Sequence, residues 1–170
     1  TGVADSLIDG NQTTAITVAV NASSDSGYTS VATQTVSITT TDNDTAAFTL
    51  SGTTGTVSCT TATVSETGTT ATFAVVLNTQ PSSDVVISAT SNDTGEATVS
   101  PAQLTFTNSN WNTAQTVTVT GVDDTAVDGA QTTAVTVSVV DGSSDNDYDP
   151  VADSTLTITT SDDDSTTTTT

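Results

Sequence analysis

Three consecutive aspartates, Asp162, Asp163 and Asp164, close an alternating Thr-rich stretch, and the only two glutamates, Glu66 and Glu96, also fall at the ends of strand-like stretches. Carboxylates packed this closely repel one another unless they are protonated, screened or bridged by a cation. The chain supplies no cation of its own. Its 170 residues include 20 Asp and Glu and no Lys, Arg or His, for a formal charge of −20. An external hard cation fits this chemistry, since calcium takes about six to eight oxygen ligands, mostly carboxylates. The competing reading is an acidic turn that is merely solvated.

The same composition removes other functions. Without Lys or Arg there is no clamp for phosphate, so nucleic acid and anionic membrane surfaces are repelled. Without His or Lys there is no ordinary general base and no cationic oxyanion partner, and an enzyme is not expected. A carboxylate pair could serve a glycosidase, but acids gathered in threes and fours suit a metal better. No run of about 18 apolar residues exists to span a membrane. The opening TGVADS lacks a charged and then apolar leader, so the chain reads as a mature segment or a window on a longer one. The lone Cys59 reads as a small buried hydrophobe, with an intermolecular disulfide as the alternative.

Elements that could position the acids are legible as strands. Thr and Val dominate, and β-branched residues fit a pleated surface. Phe73-Val75-Leu77, Val85-Ile87, Leu104-Phe106, Val117-Val119, Val135-Val137-Val139 and Leu156-Ile158 each alternate with mostly polar or small residues. Period-two segments at this spacing, broken by Gly, Pro, Asn and Asp, predict an all-β, immunoglobulin-like two-sheet sandwich, with a barrel as runner-up. Trp111 is expected to cap one end of the core.

A repeat organises the chain. GVADSLIDGNQTTAITVAV from Gly2 returns as GVDDTAVDGAQTTAVTVSV from Gly121, and Tyr28 returns as Tyr148, offsets of 119 and 120 residues. Asp5, Asp9, Asp42 and Asp44 thereby correspond to Asp124, Asp128, Asp162 and Asp164, whereas Ala4 and Asn43 stand opposite Asp123 and Asp163. The unit is close to 120 residues. Residues 1–44 are then the back part of one repeat, 45–164 a complete repeat, and 165–170 a Thr-rich linker or the start of another. The first site, with fewer acids, should be the poorer.

Residues 64–164 resemble the Calx-β domain, a sandwich found in sodium–calcium exchangers and many bacterial surface proteins. The resemblance is carried by Val64-Ser65-Glu66-Thr67-Gly68, by LTFTNSNWNTAQTVTVTGVDD at 104–124 and by LTITTSDDD at 156–164. It implies calcium at one tip of the sandwich. Carried over position by position, the ligands would be Glu66, Glu96 (ten residues before Phe106), the pair Asp123 and Asp124, Asp128, and the run Asp162, Asp163 and Asp164. Gln131 stands where the family has a further acid, and Ala97 where it has a tyrosine.

The loop Asp145-Asn146-Asp147-Tyr148-Asp149 mimics the start of an EF-hand but has Pro150 and Leu156 where that motif needs Gly and Glu. It is expected to be a solvated loop, with a weak second ion as the alternative. Four Asn-x-Ser/Thr sequons, at Asn11, Asn21, Asn43 and Asn92, are common enough by chance in such a composition. The function expected is a structural or adhesive repeat of a secreted or cell-surface protein, stiffened by calcium. Its partners would be neighbouring repeats or copies of itself, with a host or matrix ligand left open. The alternatives are a calcium sensor and a head-to-tail filament subunit completed by strand donation.

Overall fold

A computed structural model describes residues 2–21, 23–54 and 60–165; Cys59 and most of the Thr-rich tail lie outside them. The chain separates into two compact units, Thr1–Asp44 and Thr45–Thr170.

Unit 1 holds two strands, β1 (Gln12–Val18) and β2 (Gln34–Thr40), with a short 3-10 turn at Ser26–Tyr28 between them. They pair antiparallel from Gln12↔Thr40 to Val18↔Gln34.

Unit 2 builds two sheets. Its strands are β3 (Phe48–Thr54), β4 (Thr61–Ser65), β5 (Thr70–Leu77), β6 (Val85–Ser91), β7 (Ala97–Ser100), β8 (Gln103–Phe106), β9 (Gln115–Gly121), β10 (Gln131–Val139) and β11 (Ser154–Ser161). One sheet runs β4-β11-β10-β6-β8 and the other β3-β5-β9-β7. Alternation decides which side chains turn inward. Val135 and Val137 of β10, Leu156 and Ile158 of β11, and Ile87 and Phe106 of the same sheet share one core with Phe73, Val75, Val117 and Val119 of the other. This is an all-β, two-sheet sandwich. Trp111 is partly buried against that core, just before β9.

The topology brings four segments to one end. β11 pairs with β4 in parallel, Ser161 opposite Ser65, so Glu66 and Asp162 leave the sheet together. β10 runs antiparallel to β11, so the loop leading into it lies beside the residues that follow β11. In the other sheet Ala97 of β7 pairs with Gly121 of β9, which sets Glu96 beside Val122. Gly121 is required here, because a Cβ at that position would collide with the carbonyl oxygen of Ser65.

The loop after β10 departs from expectation. Asp145 is buried rather than solvated. Its Oδ2 accepts the N–H and hydroxyl of Ser82 (2.6 and 2.8 Å) and the N–H of Ser83 (2.9 Å), and its Oδ1 accepts the N–H of Asp147 (3.1 Å). Burial alone would raise its pKa, but these donors outweigh it and hold the carboxyl below the usual range. Tyr148, fully buried, donates to the Thr79 carbonyl at 2.6 Å. The loop is a structural clamp, with its lead carboxylate already satisfied by the chain.

Candidate metal centre

The acids at the shared end fall into two groups. Glu66, Asp162 and Asp164 form one; Glu96, Asp124 and Asp128 form the other. Within each group one carboxylate oxygen per residue lies within 4.8 Å of the others, a spacing that could hold a metal ion.

Main-chain bonds fix the first group. The Glu66 N–H donates to the Ser161 carbonyl (3.2 Å), continuing the β4–β11 ladder by one residue. Asp162 accepts the N–H of Gly129 on Oδ2 and that of Asp164 on Oδ1, both at 2.7 Å. Gly129 reaches this position with φ of 77°, where a side chain would be strained. In the second group the Glu96 carbonyl accepts the Val122 N–H (2.9 Å) and the Thr160 hydroxyl (3.1 Å). Asp124 folds its own loop by accepting the Ala126 N–H at 2.6 Å, and Gln131 holds the Asp128 carbonyl with its side-chain amide at 3.3 Å.

Charge is poorly compensated. Glu66 is 1% exposed, yet its Oε1 has no hydrogen-bond partner; Glu96 Oε2 and Asp164 Oδ2 are likewise buried and unpartnered. Burial pushes the Glu66 pKa up; the Asp163 N–H opposes this, while the charges of Asp162, Asp124 and Asp128 add to it. Glu96 is raised by burial, then by Asp128 and Asp124. Asp164 is raised by burial, then by Asp162 and Asp163. Glu66 and Asp164 both feel Asp124, so the two groups make up a single acidic end.

Asp123 and Asp163, the remaining residues anticipated in unit 2, are exposed and join neither group. The Asp163 contribution is its N–H, 3.4 Å from Glu66 Oε2. In unit 1, Asp5, Asp9, Asp42 and Asp44 line a cleft of about 270 Å³ with Gln12 and Thr40. Asp44 is raised by burial and then by Asp42, Asp5 and Asp9, whereas the N–H groups of Asp44 and Gly10 hold Asp42 low. Those four acids form no trio of the kind seen in unit 2. No span long and apolar enough for a membrane helix is present among the described residues.

No protein-family model matches the chain, and no curated protein matches it by sequence. Among solved structures it is similar to SSP-19, an MSP-domain protein-like family member of Caenorhabditis elegans, at 14% identity and a TM-score of 0.42, over 59% of this chain and 92% of that one. It is also similar to the surface layer protein SbsC, domains 1–6, at 20% identity and a TM-score of 0.48, over 88% of this chain. The match spans only 16% of that longer chain. Likeness at these levels assigns no function.

Proposed function

We propose that residues 45–164 form a calcium-stiffened structural module of a secreted or cell-surface protein, a Calx-β-like sandwich of immunoglobulin type in a tandem array, with residues 1–44 the back part of an adjoining repeat. The observation that supports the calcium reading is the set of unpartnered, buried carboxylate oxygens on Glu66, Glu96 and Asp164, in a chain without a single cationic side chain. An unpaired buried charge is costly, and a divalent ion is the counter-charge that such oxygens accept.

Glu66, Asp162 and Asp164 would hold one ion and Glu96, Asp124 and Asp128 a second. Bound there, the ion would supply charge neutralisation and a rigid cross-link. The chain's own part is positional: the first group joins the ends of β4 and β11, while the second joins the segment before β7 to the loop between β9 and β10. An ion at the first group would lock two neighbouring strands of one sheet and an ion at the second would tie the other sheet to the loop that crosses between them, which is what a load-bearing or spacing repeat needs. Catalysis has no place in this reading: His and Lys are absent, and the acids gather in threes, which suits a metal better than the carboxylate pair of a glycosidase.

Titration calorimetry tests it. The reading expects two calcium ions per unit 2, with dissociation constants on the order of 0.1–1 mM, as in extracellular modules. Affinity near a micromolar would favour a sensor, and no heat of binding would remove calcium from the account.

A further inference from the structure

Unit 1 exposes an apolar face whose counterpart in unit 2 is covered. Ile16, Val18, Val36 and Ile38 are 46, 60, 54 and 47% exposed, whereas the corresponding Val135, Val137, Leu156 and Ile158 are 0% exposed. Tyr28 is 62% exposed and Tyr148 0%. The two hairpins have the same register, Gln12↔Thr40 and Ile16↔Val36 in one, Gln131↔Thr160 and Val135↔Leu156 in the other. A two-stranded unit with one bare apolar face is marginal in water and calls for a partner.

The chain itself shows what covers such a face. The opposite sheet lies over β10 and β11, where Phe73 and Val75 of β5 and Val117 and Val119 of β9 share their core. β4 pairs along β11 and β6 along β10, the Thr79 carbonyl receives the Tyr148 hydroxyl, and Ser82 and Ser83 donate to Asp145. Unit 1 repeats the β10–β11 side of each contact. Asp25, the counterpart of Asp145, makes the same local bond, accepting the Gly27 N–H at 2.8 Å. The acidic loops match too. Asp42 accepts the N–H of Gly10 and of Asp44, both at 2.8 Å, and Asp5 accepts that of Leu7 at 3.0 Å, as Asp162 and Asp124 do in unit 2. Gly10 has φ of 69° where Gly129 has 77°.

We infer that the β1–β2 face docks a strand set of the type of residues 61–119, placed ahead of it in the same polypeptide as β4–β9 are placed ahead of β10. The occupant brings a β4-like strand to β2, a β6-like strand to β1, a carbonyl to Tyr28 and main-chain donors to Asp25. It also brings glutamates in the places of Glu66 and Glu96, which turn the incomplete acid set of unit 1 into two trios. The docking rests on reading residues 1–44 as the back of a repeat, and not on calcium.

The test extends the full chain by placing a second copy of residues 45–119 directly ahead of Thr1, which stands in the place of Thr120, and follows amide hydrogen exchange of residues 12–40 in chelator. The 170-residue chain should exchange rapidly there. The extended chain should slow these amides by roughly a thousandfold and remove Tyr28 from reaction with a tyrosine-nitrating reagent. Ile16→Asp with Val36→Asp in the extended chain should restore fast exchange while unit 2 stays protected. Unchanged exchange at 12–40 in the extended chain overturns the inference. So does concentration-dependent protection of the 170-residue chain alone, with dimers in sedimentation, because the cover would then be a second copy. Calcium counts on the same proteins separate the two ideas: protection gained without added calcium sites keeps the docking and removes the metal reading of unit 1.

Discussion

Gly129 donates its main-chain N–H to Asp162 Oδ2 at 2.7 Å, tying the loop ahead of β10 to the residue that follows β11. The bond orients Asp162 toward Glu66 and Asp164 while Asp128, next to Gly129 in sequence, faces Glu96. One loop therefore sets both acid groups.

The two groups should be separable. Glu66→Gln and Glu96→Gln each remove one carboxylate with a buried, unpartnered oxygen, and each should lower the calcium count by one while leaving the other site occupied. Without calcium both variants should melt at or above the parent temperature, since burial and like-charge repulsion already disfavour these charges. Asp123→Asn and Asp163→Asn should leave the count unchanged. Calorimetric titration of the four variants checks the assignment, and a parental count in both glutamine variants would contradict it.

Asp145 should prove structural. Asp145→Ala strands the Ser82 and Ser83 N–H groups and should cost about 3 kcal/mol in urea unfolding, with calcium affinity unaltered. A loss of calcium with no loss of stability would make Asp145 a ligand instead.

The pH profile of the calcium-free protein should slope in an unusual direction. Glu66, Glu96 and Asp164 have folded pKa values raised above 4.5, 4.5 and 3.8, so their contribution is complete below those values and is lost as pH rises through the folded ones. Asp145 is lowered, so its contribution is present above 3.8 and is lost as pH falls through its folded value. In chelator, urea midpoints for unit 2 should therefore be highest at about pH 4 and decline as pH rises above it. Saturating calcium should abolish the decline. Midpoints that climb from pH 5 to pH 7 in chelator would contradict the burial of these acids.

Gly121→Ala should destabilise unit 2 by about 2 kcal/mol, because the added methyl meets the Ser65 carbonyl where β9 passes the end of β4. Calcium affinity should fall with it, since Ser65 carries Glu66. Thermal melting with and without calcium reads both effects, and a parental melting curve would deny the close approach.

Sequence revealed the strands that alternate strongly, such as Phe73-Val75-Leu77 and Val135-Val137-Val139, because each carries several large apolar residues on one face. It concealed β3, whose alternation rests on Phe48 and Leu50 alone, as well as β4 and β7. The inward residues of the last two are Ala62 and Val64 in β4 and Ala97 in β7, too small to stand out from a Thr-rich background. The acid clusters were visible, but their division was not. Alternation carried past β11 sends Asp162 and Asp164 to one side and Asp163 to the other, and which side meets Glu66 depends on the parallel β4–β11 register. Asp145 looked like its acidic neighbours because a one-dimensional pattern does not reveal the main-chain N–H groups of Ser82 and Ser83, more than sixty residues away.

Calcium is the central claim, and its most direct test is scanning calorimetry of the 170-residue chain at neutral pH, in chelator and again with calcium at about a hundredfold excess over its dissociation constant. Each occupied site adds about 2.7 kcal/mol under those conditions. Two sites should raise the melting temperature of unit 2 by roughly 20 °C. Superimposable melting curves in chelator and in calcium would contradict the account.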